Sequence, residues 1–233
     1  MIEKSDRIDK NERGGGFMKN ILFDLDGTLT DPFIGITKAV AYALKSQDII
    51  VSSLETLKPF IGPPLDDSFQ KYYHMNHKDC WIAIEKFREY FNEKGKFENK
   101  VYKGIEEVLK QLKDNGYTLY VCTSKPLVFA REILEHFHLN IYFKEIYGSE
   151  LDGTRKDKAD VIAYCLECEQ IEAKECIMVG DRMHDIIGAH KNHIPCIGVL
   201  YGYGSIEEFQ QYHCDYIVEN EEGLLKFFYE KDN

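Results

Sequence analysis

Residues 20–31 read NILFDLDGTLTD, an apolar run that stops abruptly at two aspartates and Gly27. A short apolar run bounded by turn-forming residues is typical of a strand that is buried on both faces of a sheet. We therefore predict a strand over residues 20–26. Because residues i and i+2 of a strand lie on the same face, the carboxylates of Asp24 and Asp26 are predicted to project into one crevice at its end.

Apolar runs and helical patterns alternate along the second half of the chain. The predicted strands cover residues 117–123, 176–180, 195–200 and 216–218. The predicted helices cover residues 105–115, 127–137, 158–168 and 182–192. Strands that alternate with helices of roughly 10–15 residues are typical of βαβ units. The sequence therefore predicts an α/β fold built on a parallel sheet.

Residues 33–99 interrupt this alternation because they contain no convincing strand. Helical patterns cover residues 36–46, 54–60, 65–73 and 79–92, and Gly62-Pro63-Pro64 forces a turn among them. We expect an all-α domain inserted into a core of residues 18–32 plus 100–233. The aromatic residues of the last pattern stand at helical spacing, which favours a place in the core of the small domain over substrate stacking. They are Trp81, Phe87, Tyr90 and Phe91.

Residues 1–17 show no periodicity, carry eight charges and end next to a run of glycines. This composition predicts a flexible N-terminal tail. Arg13-Gly14-Gly15 is also what a purine-rich ribosome-binding site would encode, so we expect natural translation to start at Met18.

The chain has 233 residues, of which 44% are hydrophobic, and a formal net charge of −11. It can bury a core, and it contains no apolar run of about 18 residues that would span a membrane. The acidic excess argues against a nucleic-acid polymer as partner, but a local group of cations could still bind a small anionic substrate. Seven dispersed cysteines without an export signal favour a reduced, cytoplasmic protein. We expect a monomer or a homodimer.

Polar residues stand where the predicted strands end, which is where an open parallel sheet binds ligands. They are Asp24, Asp26, Thr123, Ser124, Asp181 and Asp185, with Lys158 at the start of a helix. Carboxylates from two strand ends repel one another unless a cation neutralises them, and Mg²⁺ prefers oxygen ligands of this kind. Hydroxyl groups, a lysine ammonium and the backbone N–H groups around Gly27 suit the oxygens of a phosphoryl group. The set therefore predicts metal-assisted phosphoryl transfer.

Each of these motifs alone has an ordinary structural explanation. Asp26-Gly27 is a common turn, Gly180-Asp181 can open a helix as its N-cap, and residues 123–126 can form a plain strand-to-helix loop. The motifs nevertheless occur together, in order, and each at the end of a predicted parallel strand. This agreement favours the functional interpretation.

Four segments resemble the four motifs of the haloacid dehalogenase (HAD) superfamily, in the family's order. These segments are residues 24–31, residues 123–125, Lys158 and residues 180–185. Three further segments resemble the phosphoglycolate phosphatase-like branch, many members of which are described as 5′-nucleotidases or pyrophosphatases. These are residues 61–65, 149–154 and 200–204. The resemblance implies a Rossmann-like parallel sheet core with an inserted helical cap, hinged near residues 32–35 and 97–104.

The resemblance also implies a chemical role for the motif residues. Asp24 would attack phosphorus and form an aspartyl-phosphate. Asp26 would act as the general acid for the leaving group and then as the base that activates water. Thr123 would bind phosphoryl oxygens, with Ser124 assisting through its backbone. Lys158 would neutralise the nucleophile and the phosphate.

Mg²⁺ is the cofactor that the resemblance implies. Asp24, the backbone carbonyl of Asp26 and Asp181 would hold the ion. Asp185 would act from outside this shell of ligands, by orienting a metal-bound water or Lys158.

The residues and the resemblance together predict a magnesium-dependent phosphatase acting on a small phosphorylated metabolite, phosphoglycolate-like or a nucleoside 5′-monophosphate. Asp26 favours ester hydrolysis, because the dehalogenases of the superfamily lack the second aspartate and the phosphonate-cleaving members have a small residue there. A phosphomutase or a pyrophosphatase is the alternative within the superfamily, and a non-catalytic phosphate-binding module is the alternative outside it. Substrate choice would come from the underside of the cap, where Lys38, Pro63, Pro64 and Leu65 are candidates.

Overall fold

The computed structural model describes residues 18–229 of the chain. Its strands are β1 (Asn20–Phe23), β2 (Thr30–Asp31), β3 (Lys100–Val101), β4 (Thr118–Pro126), β5 (Glu145–Ser149), β6 (Cys176–Gly180), β7 (Cys196–Val199) and β8 (Tyr216–Val218). Six of these strands form a central sheet in the order β5-β4-β1-β6-β7-β8, and all neighbours in it are parallel. The predicted α/β fold with a parallel sheet is confirmed.

The helices in this part of the chain are α1 (Phe33–Lys45), α2 (Leu65–Tyr73), α3 (His77–Glu93), α4 (Ile105–Asp114), α5 (Leu127–His136), α6 (Lys158–Glu169), α7 (Met183–Lys191), α8 (Ile206–Gln211) and α9 (Glu221–Tyr229). Both faces of the sheet are covered, because successive residues of β1 enter different hydrophobic clusters. Ile21 and Phe23 pack in a cluster with residues of α4 and α5, whereas Leu22 packs in a second cluster with residues of α6 and α7. This burial on both faces explains why the strands read as continuous apolar runs.

The register of the central strands places three of the predicted site segments together at the carboxyl end of the sheet. Phe23, the last residue of β1, lies opposite Val121 of β4 and Val179 of β6. The chain continues from these positions to Asp24, Thr123 and Asp181. The polar residues that follow the three strands therefore emerge side by side.

Residues between β2 and β3 form helices, as the sequence predicts. Thr30 pairs with Val101 and Asp31 with Lys100 in a short antiparallel ribbon, which closes the base of this segment where the chain leaves and returns. Between them lie α1, a 3₁₀ helix at Leu54–Phe60, α2 and α3, and α1 and α3 pack against each other. The division into a cap and a core at residues 33–99 stays a prediction.

Several features differ from the sequence prediction. The first strand, predicted over residues 20–26, ends at Phe23, and the helices α8 and α9 were not predicted. The strand β5 was not predicted, because it holds only two consecutive large apolar residues between polar ones and lies at the edge of the sheet. The strand β4 extends to Pro126, and it pairs with β5 beyond an irregularity after Cys122. Trp81 is not a core residue, since 65% of its surface is exposed, while Phe87 and Phe91 are buried as predicted.

The structure tests several other predictions only in part. The predicted flexible tail at residues 1–17 and the predicted start at Met18 depend on residues outside the described range. Among the described residues, no helix combines the length and the apolar character that crossing a membrane requires. All seven cysteines are free thiols.

Candidate active site

The ammonium group of Lys158 lies between two buried carboxylates at the carboxyl end of the sheet. Its Nζ is 2.7 Å from Oδ1 of Asp24 and 2.8 Å from Oδ1 of Asp185. It also donates a hydrogen bond to the backbone carbonyl of Cys122 at 3.0 Å. Burial lowers the pKa of Lys158, but the charges of Asp185 and Asp24 more than offset this and hold the pKa above its ordinary value. Lys158 therefore keeps its positive charge at neutral pH.

Asp24, Asp181 and Asp185 form a compact acidic cluster, in which one oxygen of each carboxylate lies within 4.8 Å of the others. Burial, together with repulsion from Asp185 and Asp24, raises the pKa of Asp181 well above its ordinary value. Burial also raises the pKa of Asp185 to about 6, although Lys158 acts against this shift. Lys158 pairs with only two of the three buried carboxylates, Asp24 and Asp185. A further cation would relieve the remaining repulsion.

One carboxylate oxygen of Asp181 is available to bind a metal ion. Its Oδ2 accepts a hydrogen bond from the backbone N–H of Tyr203 at 2.8 Å. Its Oδ1 is buried and has no hydrogen-bond partner among the described residues. An unpaired buried carboxylate oxygen is costly unless a cation occupies the space beside it. The donor set of Asp24, Asp181 and Asp185 therefore fits a hard divalent cation such as Mg²⁺.

Asp26 lies beside this cluster and forms an ion pair with Lys125 through its Oδ2. Burial raises the pKa of Asp26, and the charge of Lys125 only partly offsets that effect. The predicted motif at residues 123–125 includes Lys125, for which no role was predicted. The available signal was its place two residues after Thr123 at the end of a predicted strand, close to the other site residues.

The structure brings Thr123 and Ser124 to the same carboxyl end of the sheet. Oγ1 of Thr123 accepts a hydrogen bond from the N–H of Lys125 at 3.3 Å, so its own hydroxyl proton is free to be donated to a ligand. The backbone carbonyl of Ser124 accepts a hydrogen bond from Ser149 at 2.8 Å, which fixes this turn of the chain. The N–H of Gly27, which we expected to contact phosphate, instead donates to the carbonyl of Thr30 at 2.7 Å. A phosphate contact by Gly27 stays a prediction.

Comparison with protein families gives an independent result. A family model described as haloacid dehalogenase-like hydrolase matches residues 21–199. The chain belongs to this family. The predicted family is thereby confirmed, and the segments that suggested it are those that meet at the carboxyl end of the sheet.

Individual relatives of this HAD-like hydrolase carry names of phosphatases. It is 51% identical over 191 residues to a 5′-nucleotidase of Pseudomonas aeruginosa, covering 82% of this chain and 86% of that protein. It is 27% identical over 217 residues to a phosphoglycolate phosphatase of Vibrio parahaemolyticus, covering 90% of this chain and 95% of that protein. A crystal structure of a predicted phosphatase from Clostridium acetobutylicum matches with a TM-score of 0.90 and 50% identity, covering 92% of this chain and 100% of that chain. The predicted enzyme class, a phosphatase of the HAD family, is confirmed.

A cavity of about 470 Å³ in the HAD-like hydrolase lies between the helical segment and the edge of the sheet. Asp26, Ser124 and Lys125 line its polar side. Helix α3 contributes apolar lining through Trp81, Ile84, Phe87 and Phe91. Charged residues, among them Asp66, Arg88 and Lys156, also line the cavity. Of the predicted specificity candidates, Pro63, Pro64 and Leu65 line this cavity. Lys38 instead forms an ion pair with Glu98 at 2.6 Å.

Contacts hold the helical segment of the HAD-like hydrolase against the rest of the molecule. Arg182 donates to the carbonyl of Ile61 at 3.0 Å, and Arg88 donates to the carbonyl of Leu151 at 2.7 Å. The ring of Phe91 packs edge-to-face on Phe129 of α5, with centroids 5.4 Å apart. These contacts hold the cavity-lining residues of the helical segment in place against the sheet.

Substitution of Gly27 tests how tightly the acidic cluster is packed. Gly27 has φ +85°, and a Cβ atom there would overlap the carboxylate of Asp181. We expect Gly27→Ala to cost about 1–2 kcal/mol for the left-handed backbone and about 1–3 kcal/mol more for overpacking. Activity should fall as well, because Asp181 must move.

Gly116→Ala is the matched control, since Gly116 has φ +86° but open space around its Cβ position. It should show the backbone cost alone and keep full activity. Urea unfolding and a phosphatase assay of both variants provide the comparison. Equal losses of stability in the two variants would contradict the packing that the structure shows around Asp181.

Proposed function

We propose that this HAD phosphatase is magnesium-dependent and hydrolyses a phosphomonoester through an aspartyl-phosphate on Asp24. The arrangement of Asp24, Lys158 and the two further carboxylates at one sheet edge supports the proposal most strongly. A buried carboxylate that is paired with a lysine, and that lies next to a second carboxyl group of raised pKa, suits nucleophilic attack assisted by a proton donor.

In the first half of the reaction, a carboxylate oxygen of Asp24 attacks phosphorus and the bond to the ester oxygen breaks. Asp26 gives its proton to that oxygen as it leaves, and the raised pKa of its carboxyl group favours the protonated form that this step needs. Lys158 neutralises negative charge on Asp24 and on the phosphoryl oxygens. Thr123 donates its hydroxyl proton to a phosphoryl oxygen.

In the second half, the phosphoryl group is transferred from Asp24 to water. Asp26, which has lost its proton, takes one from the attacking water and returns to its starting state. Asp24, the carbonyl of Asp26 and Asp181 would hold Mg²⁺, with Asp185 as an outer partner. When bound, the ion supplies charge neutralisation between the nucleophile and the phosphoryl oxygens.

We further propose that the substrate is a nucleoside 5′-monophosphate rather than phosphoglycolate. The cavity of about 470 Å³ is in the range of pockets that enclose ligands of drug size. A two-carbon leaving group would fill little of a cavity of this size, whereas a planar base can pack on the aromatic rings that line it. The 5′-nucleotidase name of the Pseudomonas aeruginosa relative is consistent with this choice.

The test is phosphate release from a panel of nucleoside 5′-monophosphates, phosphoglycolate and p-nitrophenyl phosphate, with Mg²⁺ and with a chelator. We expect Mg²⁺-dependent release and the highest kcat/KM for a nucleotide. A preference for phosphoglycolate would overturn the substrate choice alone. Isomerised substrate without phosphate release would indicate a mutase, preferred cleavage of pyrophosphate a pyrophosphatase, and binding without turnover a non-catalytic module.

Thermal stability gives a test of the metal site that does not depend on turnover. We expect Mg²⁺ at a hundredfold excess over its Kd to stabilise the wild-type protein by about 2.7 kcal/mol, which is several degrees in Tm. Asp181→Asn should abolish most of this shift, because it removes a charged ligand. Asp114→Asn, at an exposed position on α4, is the control and should keep the shift. A full Mg²⁺ shift in Asp181→Asn would show that the ion binds elsewhere.

A further inference from the structure

Lys125 lies at the meeting point of the sheet, Asp26 and helix α3. Its side chain is only 6% exposed, and its Nζ forms an ion pair with Oδ2 of Asp26. The same Nζ lies 4.9 Å from the centroid of the Phe91 ring on α3, which is a cation–π contact. Its backbone N–H donates to Oγ1 of Thr123. Asp26 and Phe91 therefore hold the buried ammonium group from two sides, while the hydrogen bond to Thr123 fixes the backbone that carries it.

The ion pair makes the two carboxylate oxygens of Asp26 different in their surroundings. Oδ2 is held by Lys125, whereas Oδ1 is buried and has no hydrogen-bond partner among the described residues. Both residues line the large cavity in which we place the leaving group. The oxygen that can carry a transferable proton is thus Oδ1. Without Lys125, the Asp26 carboxyl group would be free to rotate about its Cβ–Cγ bond.

We propose that Lys125 is a positioning residue that holds Asp26 in the orientation from which Oδ1 protonates the leaving group. This inference rests on the proposed function, in which Asp26 is the general acid. In the step concerned, the Asp24 oxygen–phosphorus bond forms as the phosphorus–ester oxygen bond breaks. The ester oxygen takes the bonding electron pair and receives the proton from Oδ1, so Asp26 ends as a carboxylate paired with Lys125.

The contact with Phe91 extends this role to the helical segment. The ring covers the ammonium group from the side of α3 and itself packs on Phe87 and Phe129. A lysine that is shielded from water in this way interacts more strongly with its carboxylate partner. The position of α3 and the orientation of Asp26 are therefore coupled through Lys125.

Leaving groups that differ in their need for a proton separate positioning from a merely structural role. An alkoxide leaves only with a proton, whereas p-nitrophenolate is a stable anion that needs none. We expect Lys125→Met to lower kcat/KM for a nucleoside monophosphate by about 100-fold, the size of a general-acid contribution, and for p-nitrophenyl phosphate by less than about fivefold. Because kcat/KM covers only the steps up to the first phosphoryl transfer, the role of Asp26 as a base does not obscure the result.

Three further variants control this experiment. Asp26→Asn should show the same split between the two substrates. Lys125→Arg keeps the charge and should recover most of the lost nucleotide activity. Lys174→Met removes an exposed lysine just before β6, at the amino end of the sheet and away from the site. It should behave as wild type.

Equal losses on both substrates, or no loss on either, would overturn the role of Lys125 while the proposed function stood. If Lys125→Met does not fold, Lys125→Gln takes its place, and the same split, of smaller size, is required of it. If the wild-type protein itself releases no phosphate from any ester, the proposed function fails and the inference fails with it.

Discussion

Replacement of Asp24 by Asn is expected to lower kcat at least about 10⁴-fold, in line with the loss of a nucleophile in other enzymes that form covalent intermediates. The amide has nearly the shape of the carboxylate, and its oxygen can still accept hydrogen bonds from Lys158 and from the backbone N–H of Leu25. The fold should therefore persist. The amide cannot, however, form the acyl-phosphate, so no later step can occur.

The measurement is phosphate release from a nucleoside monophosphate, with circular dichroism and Tm recorded on the same samples. Asp114→Asn, on the exposed side of α4, makes the same chemical change away from the site and should retain wild-type activity. Turnover of Asp24→Asn within tenfold of wild type would exclude Asp24 as the nucleophile, whatever the structure of its surroundings.

Replacement of Lys158 by Met is expected to damage both activity and stability. Removal of a charge that stabilises the transition state typically costs about 10²–10³-fold in kcat. The side chains of Lys158 and Asp185 are at most 3% exposed, so without Mg²⁺ the substitution leaves buried carboxylates that no cation compensates. Breaking a buried ion pair in this way typically costs about 3–5 kcal/mol.

Unfolding in urea, with and without Mg²⁺, checks this second prediction. We expect Mg²⁺ to stabilise Lys158→Met more than wild type, because the ion replaces part of the missing positive charge beside Asp24. Lys174→Met, in which an exposed lysine is lost, should unfold like the wild-type protein. If Lys158→Met unfolds at the wild-type urea concentration without metal, the carboxylates do not depend on this lysine for their burial.

The central strands could be predicted from the sequence because burial on both faces makes them continuous apolar runs. Once β1, β4 and β6 are parallel neighbours, the residues after their ends must meet, so Asp24, Thr123 and Asp181 could be placed together. The strand β5 was not predicted because only two of its residues, Ile146 and Tyr147, are large and apolar, although four of its five residues are buried. Its pairing depends on the irregular extension of β4, which no periodicity encodes.

Other features depend on contacts between segments that are far apart in the chain. The N–H of Tyr203 satisfies Asp181 only because the loop after β7 folds back across the sheet edge. The exposure of Trp81, in contrast, follows from the helix itself. Trp81 stands six residues before Phe87, about 240° around α3, and so lies off the face that buries Cys80, Ala83, Phe87 and Phe91. The role of Lys125 likewise appears only when the helical segment brings Phe91 against it. Periodicity reports which face of an element is apolar, but it does not report what covers that face.

The decisive measurement is the mass of the peptide that contains Asp24 after turnover with substrate is stopped rapidly in acid. We predict that this peptide carries the additional mass of one phosphoryl group, and that fragmentation assigns the group to Asp24 rather than Asp26. The modification should be absent without substrate and absent in Asp24→Asn. Active enzyme that shows no phosphorylated peptide at any quench time, or one phosphorylated on another residue, would contradict the mechanism proposed for this site.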